Sequence, residues 1–76
     1  MEINEFVEKF AEQFYETEAS ELTMETNFRE IEEWSSLTAL SIIAMADEEF
    51  GVTLKGDDII NSNTVKDLYE IVNSRL

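Results

Sequence analysis

The chain has 76 residues, the size of one small domain spanning residues 1–76, and it contains neither cysteine nor histidine. Without cysteine it cannot form disulfides or thiolate metal sites, and without histidine a self-contained Ser-His-Asp hydrolase is disfavoured. Eighteen acidic side chains against five basic ones give a net charge of −13, which repels nucleic acid and anionic membranes and favours partners with basic surfaces.

The charge imbalance predicts a stability that depends on salt. Carboxylates repel one another over about 30 Å at 0.01 M ionic strength but over only about 10 Å at 0.1 M. We therefore expect added salt or divalent cations to raise the Tm, as measured by thermal unfolding followed by circular dichroism. A Tm that stays constant as salt is added would contradict this expectation.

The sequence carries no sign of export or membrane insertion. Its N-terminus is acidic and amphipathic, which is unlike a signal peptide. The longest apolar run, residues 42–46, is far too short to cross a bilayer. We expect a soluble, monomeric, cytoplasmic protein.

The first element is an amphipathic helix. Its apolar residues follow the spacing of one helix face, and acidic side chains fill the opposite face. The pattern predicts a helix of about four turns with its phenylalanines in the core, although an aromatic ligand site has the same spacing. The apolar residues are Ile3, Phe6, Val7, Phe10, Ala11 and Phe14.

Residues 17–35 lose this periodicity and are rich in turn-forming and capping residues. They predict a long loop, held to the core at a few apolar positions and able to include a short helical turn. A loop of this length is often functional. Trp34 ends the loop and is expected to be a partly buried anchor.

A second helix is predicted from Ser35 or Ser36 to about Phe50, since serine is a favoured N-cap. The helical wheel places a core-facing arc at Leu40, Ile43 and Phe50, next to Ala39, Ile42 and Ala46. An apolar line edged with acid lies on the far side, at Leu37, Ser41, Ala44, Met45 and Glu48. These residues are either scattered exposed positions or a strip for partner docking.

Two further helices follow a predicted stop at Gly51. Residues 57–60 predict a brief helical turn, and Thr64-Val65-Lys66-Asp67 fits a capping box that opens the last helix. The fold class is therefore all-α, a small four-helix bundle with three longer helices and a short third one. The apolar stripe of the last helix is Val65, Leu68, Tyr69, Val72 and Leu76, with Ile71 beside it.

The residues provide no catalytic group and no metal site. The acidic run ending in Phe50 and Gly51 fails the ligand spacing of an EF-hand, and no glycine-rich phosphate loop is present. What remains is a pair of serines at the mouth of the second helix, and the wheel does not choose between Ser35 and Ser36. Composition and periodicity alone predict an acidic helical binding module.

The order of these parts resembles the acyl carrier proteins over the whole chain. Ser36-Leu37 opens a helix that ends in Glu48-Glu49-Phe50-Gly51-Val52, which is similar to the Asp-Ser-Leu helix of that family. Thr64-Val65 followed by Asp67-Leu68 resembles the start of the family's last helix. Phe28 matches an aromatic residue common in its first loop.

The resemblance implies a carrier rather than an enzyme. A phosphopantetheinyl transferase would attach 4′-phosphopantetheine from coenzyme A to Ser36, and the arm would carry acyl groups as thioesters. Synthase and acyl-transferring enzymes of fatty-acid, polyketide or related specialised synthesis would dock through basic surfaces on Leu37, Ser41, Ala44, Met45 and Glu48. The hydrophobic interior could shelter the cargo.

The motif Trp34-Ser35-Ser36-Leu37 differs from the family pattern in one position. Ser35 occupies the place directly before the modified serine, where the family usually has an aspartate. That aspartate commonly helps the transferase hold its metal ion, so its absence bears on the efficiency of modification. The tryptophan is familiar from specialised carriers. An amino-acid carrier and an unmodified acidic interaction module are the alternatives, and an enzyme acting alone is the weakest.

Overall fold

The computed structural model describes residues 2–76 and contains four α-helices. They are α1 (Ile3–Ala11), α2 (Ser36–Phe50), α3 (Gly56–Ile60) and α4 (Val65–Ser74). Two short 3₁₀ turns, Ala19–Glu21 and Phe28–Glu30, lie in the long connection between α1 and α2. The predicted all-α bundle, with its short third helix and long first connection, is confirmed. No helix among residues 2–76 is long and apolar enough to cross a membrane.

A row of aromatic side chains forms the centre of the bundle. The Tyr69 ring on α4 lies 5.7 Å from Phe6 on α1, and Phe6 lies 6.0 Å from Phe10. Phe10 continues the row to Phe28 in the long connection, at 6.3 Å between ring centroids. Phe6, Phe10 and Phe28 are completely buried, and the predicted core role of the phenylalanines of α1 is thereby confirmed.

Helix α1 has nine residues, which make about two and a half turns, so it is shorter than the predicted four turns. At its end, hydrogen bonds between residues three apart replace the helical bonds between residues four apart. One example runs from the Phe14 amide to the Ala11 carbonyl at 3.0 Å. The next two amides, of Tyr15 and Glu16, donate to the Glu33 carboxylate instead of continuing the helix. Phe14 nevertheless remains buried, as predicted.

The buried face of α2 is rotated by about a quarter turn from the predicted one. Leu40, predicted in the core, is 61% exposed, whereas Met45, predicted on the outer surface, is 2% exposed. Thr38 is also buried, and its hydroxyl donates to the Glu33 carbonyl at 3.0 Å. Apolar side chains occur around most of α2, so the pattern of hydrophobic residues does not determine the inner face of this helix. Ile42 and Ala46 are buried as predicted.

Gly51 ends α2 as predicted, with a φ of +66° that suits glycine. The long connection is joined to the start of α4 by backbone hydrogen bonds. The Phe28 amide donates to the Asn63 carbonyl at 3.1 Å, and the Val65 amide donates to the Thr26 carbonyl at 3.0 Å. These bonds hold Phe28 in the core and satisfy an amide at the start of α4 that has no partner within the helix.

The predicted capping box at the start of α4 is confirmed. Thr64 Oγ1 accepts from the Asp67 amide at 3.2 Å, and Asp67 Oδ2 accepts from the Thr64 amide at 3.0 Å. Hydrogen bonds from the backbone amides of Asn63 and Thr64 hold the pKa of Asp67 below its ordinary value. We expect Thr64→Ala to destabilise the fold by about 1 kcal/mol in urea unfolding. Thr53→Ala, at an exposed threonine, is the control, and equal losses in both variants would contradict a capping role.

The end of α4 differs from the prediction. The helix stops at Ser74, and Leu76, predicted to belong to its apolar stripe, is 60% exposed. Arg75 donates to both carboxylate oxygens of Asp58, at 2.8 and 3.0 Å, and to the Thr53 carbonyl at 2.8 Å. This ion pair, chiefly through its hydrogen bonds, lowers the pKa of Asp58 and raises that of Arg75.

Candidate attachment site at the start of the second helix

The two serines at the mouth of α2 have different hydrogen bonding. Ser35 is the N-cap, and its Oγ accepts from the Thr38 amide at 3.3 Å. The same Oγ lies 3.2 Å from Thr38 Oγ1. Ser36 is the first residue of the helix, and its side chain is exposed. Within residues 2–76 the Ser36 hydroxyl has no hydrogen-bond partner, so it is free to react.

The electrostatic surroundings of Ser36 suit an attached phosphate. Helix α2 has 15 residues, and the positive end of its dipole lies at Ser36. The first turn of α2 contains no acidic residue. The amides of Ser36 and Leu37 belong to the first turn, where the helix supplies no acceptor, and they can donate to an anion.

Glu33 joins the segment before Ser35 to the end of α1. One carboxylate oxygen accepts from the Tyr15 amide at 2.8 Å, and the other accepts from the Glu16 amide and the Thr17 hydroxyl, both at 2.9 Å. Desolvation alone would raise the pKa of Glu33, but the hydrogen bonds from Thr17, Tyr15 and Glu16 together outweigh it and lower the pKa. Glu33 therefore stays charged and ties the segment before Ser35 to the residues that follow α1.

The pKa shift of Glu33 predicts a loss of stability on its neutralisation. Because the folded-state pKa lies below the ordinary value of 4.5, the contribution is complete above about pH 4.5 and is lost as the pH falls through the folded-state pKa. We expect Glu33→Gln to lower the Tm at neutral pH and to lose less further stability on acidification than the wild type. Glu32→Gln, at a neighbouring exposed acid, should leave the Tm within about 2 °C. Equal effects at both positions would contradict the anchoring role of Glu33.

Trp34 fixes the other side of the site. Its ring centroid lies 4.6 Å from that of Phe28 and 6.4 Å from that of Phe14. The side chain is half-buried, which confirms the predicted anchor. Since Trp34 directly precedes Ser35, the packing of the aromatic core sets the position of the helix start.

Four residues of α2 form an outward-facing set that we call the exposed strip: Leu37, Leu40, Ala44 and Glu48. Leu37 is 76% exposed. Ser41, predicted with this set, is half-buried toward the end of α1. Met45 is buried against the core, so its predicted place on an outer docking face is wrong, and Leu40 takes an outer position that the wheel had assigned to the core.

Sequence reasoning missed two residues that hold the long connection in place, Glu33 and Arg29. Arg29 Nε donates to the Ser62 carbonyl at 3.1 Å, and its Nη2 donates to the Ile59 and Ile60 carbonyls, both at 2.7 Å. It thus binds the carbonyl end of α3 to the long connection. The only signal in the sequence is the scarcity of basic residues, since Arg29 is one of five.

A small helical bundle that presents a free serine hydroxyl at a helix N-terminus, with an exposed apolar strip behind it, has the form of a carrier domain. A family model described as a phosphopantetheine attachment site matches residues 4–72. The chain therefore belongs to this family of acyl-carrier-type domains, whose members are not catalytic and carry covalent 4′-phosphopantetheine. No curated protein and no solved structure matched the sequence.

The residues at the start of α2 fit such an arm. The free Ser36 hydroxyl can form the phosphate ester, and the backbone amides beside it can donate hydrogen bonds to the phosphate oxygens of that ester. When bound, the arm supplies a thiol on which a cargo is held as a thioester.

Proposed function

We propose that Ser36 is the attachment residue and that the chain carries acyl intermediates as thioesters on a 4′-phosphopantetheine arm. The observation that carries this proposal is the contrast between the two serines. The Ser35 hydroxyl is held as the cap of α2 by Thr38, whereas the Ser36 hydroxyl is exposed and lacks a partner among the described residues. Esterifying Ser36 leaves the cap intact, and esterifying Ser35 would disrupt it.

The chain acts as a substrate of its partner enzymes. It contains no histidine, and no basic side chain hydrogen-bonds Ser36 in the described structure. The group that removes the Ser36 proton therefore comes from the phosphopantetheinyl transferase. The contribution of this chain is to present the hydroxyl on a fixed helix start that is electrostatically suited to the ester.

Partner enzymes are proposed to dock on the exposed strip. Leu37, Leu40 and Ala44 offer apolar contact beside Ser36, and Glu48 adds negative charge at the other end. A net charge of −13 speeds encounter with a basic enzyme surface. A small, partly electrostatic interface allows rapid release, which a carrier serving several enzymes in turn requires.

The pathway consistent with this proposal is fatty-acid, polyketide or related specialised synthesis. We place the chain in the cytoplasm as a monomer. Ser35 in place of the usual aspartate removes one carboxylate from the neighbourhood of Ser36, so a transferase tolerant of varied carriers is the appropriate probe.

The direct experiment is modification of the wild-type chain. The protein is incubated with coenzyme A, Mg²⁺ and a broad-specificity phosphopantetheinyl transferase, and its intact mass is measured. We expect a gain of one phosphopantetheinyl group per chain. An unchanged mass, under conditions in which a known carrier is fully modified, would contradict the proposal and favour an unmodified acidic interaction module.

A further inference from the structure

Four aromatic side chains fill the interior of the bundle at its Ser36 end, and we call them the aromatic cluster: Phe10, Phe14, Phe28 and Trp34. Their rings contact one another in a closed circuit. The ring centroids lie 5.5 Å apart for Phe10 and Phe14, 6.4 Å for Phe14 and Trp34, 4.6 Å for Trp34 and Phe28, and 6.3 Å for Phe28 and Phe10. Trp34 is the half-buried, outermost member and stands two residues before Ser36. The cluster therefore lies where a chain carried on Ser36 would have to enter.

An acyl chain that enters this close-packed interior has to displace at least one ring of the aromatic cluster. A buried aromatic side chain hides about 150–250 Å² from water, and a methylene group hides about 30 Å². The displacement of one ring therefore cancels the burial of about five to eight methylene groups. An acyl group of up to about six carbons has at most five beyond its carbonyl, so it gains no net burial by entering.

Hydrogen bonds at both ends of α3 resist a widening of the bundle on its other side. Near the start of α3, both carboxylate oxygens of Asp58 accept from Arg75, at 2.8 and 3.0 Å. At its end, the Ile59 and Ile60 carbonyls accept from Arg29, both at 2.7 Å. An outward movement of α3 that made room for a chain would break these bonds, and charge-assisted hydrogen bonds are the stronger kind.

We propose that the aromatic cluster keeps the cargo outside the bundle, and that the substrates of this carrier are short or polar acyl groups. The proposal rests on attachment of the arm at Ser36. Acyl groups of up to about six carbons expose little apolar surface, and groups with hydroxyl, keto or amino functions are well hydrated, so neither needs a shelter from water. A long alkyl chain would stay in water on this carrier. The cargo outside the bundle replaces the interior shelter that the resemblance to acyl carrier proteins implies.

The test compares how accessible an acetyl and a hexanoyl thioester are on the carrier. A broad-specificity transferase attaches each acyl-phosphopantetheinyl group from its acyl-coenzyme A. Hydroxylamine, a neutral nucleophile, then attacks the thioester carbonyl and breaks the C–S bond, which yields a hydroxamate and the free thiol. Each rate is divided by that of the same thioester on coenzyme A, which corrects for the intrinsic reactivity of the acyl group. Trp34→Ala opens the aromatic cluster. Phe50→Ala is the matched control, because it removes a half-buried ring at the far end of α2 that contacts Phe6 at 6.1 Å.

We expect the corrected acetyl and hexanoyl rates to agree within about twofold in the wild type and in Phe50→Ala. In Trp34→Ala the space left by the indole should admit the hexanoyl chain and slow its cleavage about fivefold relative to acetyl. If Trp34→Ala lacks the circular dichroism of a helical bundle, Trp34→Leu takes its place.

A hexanoyl group that is protected on the wild type would overturn the proposal. Equal corrected rates in the opened variant would overturn it as well, because the aromatic cluster would then not be what keeps the cargo outside. Intact mass is measured before the cleavage. A wild-type chain that gains no acyl-phosphopantetheinyl group overturns the proposed function itself, so the two failures are distinguishable.

Discussion

Replacing Phe28 by alanine is expected to remove about 3–5 kcal/mol of stability, the usual cost of deleting a buried phenylalanine. Phe28 is completely buried and packs against Phe10 and Trp34, with ring-centroid distances of 6.3 and 4.6 Å. A chain of 76 residues has a total free energy of unfolding of about 4–11 kcal/mol. The substitution therefore removes a large part of the stability, and it loosens Trp34 near Ser36, the proposed attachment residue.

The measurement is urea unfolding followed by far-ultraviolet circular dichroism, which reports the helices rather than the ring environment. Tyr15→Ala is the matched control, because Tyr15 is fully exposed and loses a similar aromatic volume. We expect this control to change the free energy of unfolding by less than about 0.5 kcal/mol. A Phe28→Ala protein as stable as Tyr15→Ala would show that the long connection does not depend on its aromatic anchor.

The elements with strong local signals were predictable from the sequence. The capping box at Thr64 and the glycine stop at Gly51 depend on chemistry within a few residues, and both are confirmed. The phenylalanines of α1 repeat at helix spacing against an acidic face, so their burial followed from the pattern. The short third helix and the long first connection were also expected, and the structure contains both.

The face of α2 was not predictable in the same way. Apolar residues occur nearly all round this helix, so a helical wheel does not distinguish which face is buried. The orientation is set by contacts outside the helix. In the observed orientation Thr38 hydrogen-bonds the Glu33 carbonyl, Met45 lies in the core and Leu40 lies outside. The docking residues predicted from the wheel therefore include Met45, which is buried, and omit Leu40, which is exposed.

The residues that hold the long connection in place also escaped prediction, because their partners are distant in the chain. Glu33 receives hydrogen bonds from amides 17 and 18 residues earlier. Arg29 donates to carbonyls 30 to 33 residues later. In the sequence both look like solvated charges, and only the folded arrangement shows that they anchor the long connection between α1 and α2.

The second large effect is the loss of modification in Ser36→Ala. The Ser36 side chain makes no hydrogen bond within the described residues, and alanine is a better helix former, so the variant should fold at least as well as the wild type. Ser35→Ala removes the cap of α2 and should cost about 1 kcal/mol of stability, yet it keeps the Ser36 hydroxyl. Ser36→Ala is therefore expected to keep the stability and lose the modification, whereas Ser35→Ala is expected to lose stability and keep the modification.

Intact mass spectrometry of these two variants after the transferase reaction tests the account most directly. Ser35→Ala is predicted to gain one phosphopantetheinyl group, and Ser36→Ala is predicted to gain none while showing the circular dichroism of a folded helical bundle. A folded Ser36→Ala protein that is still modified, or a Ser35→Ala protein that is folded and unmodified, would contradict Ser36 as the attachment residue.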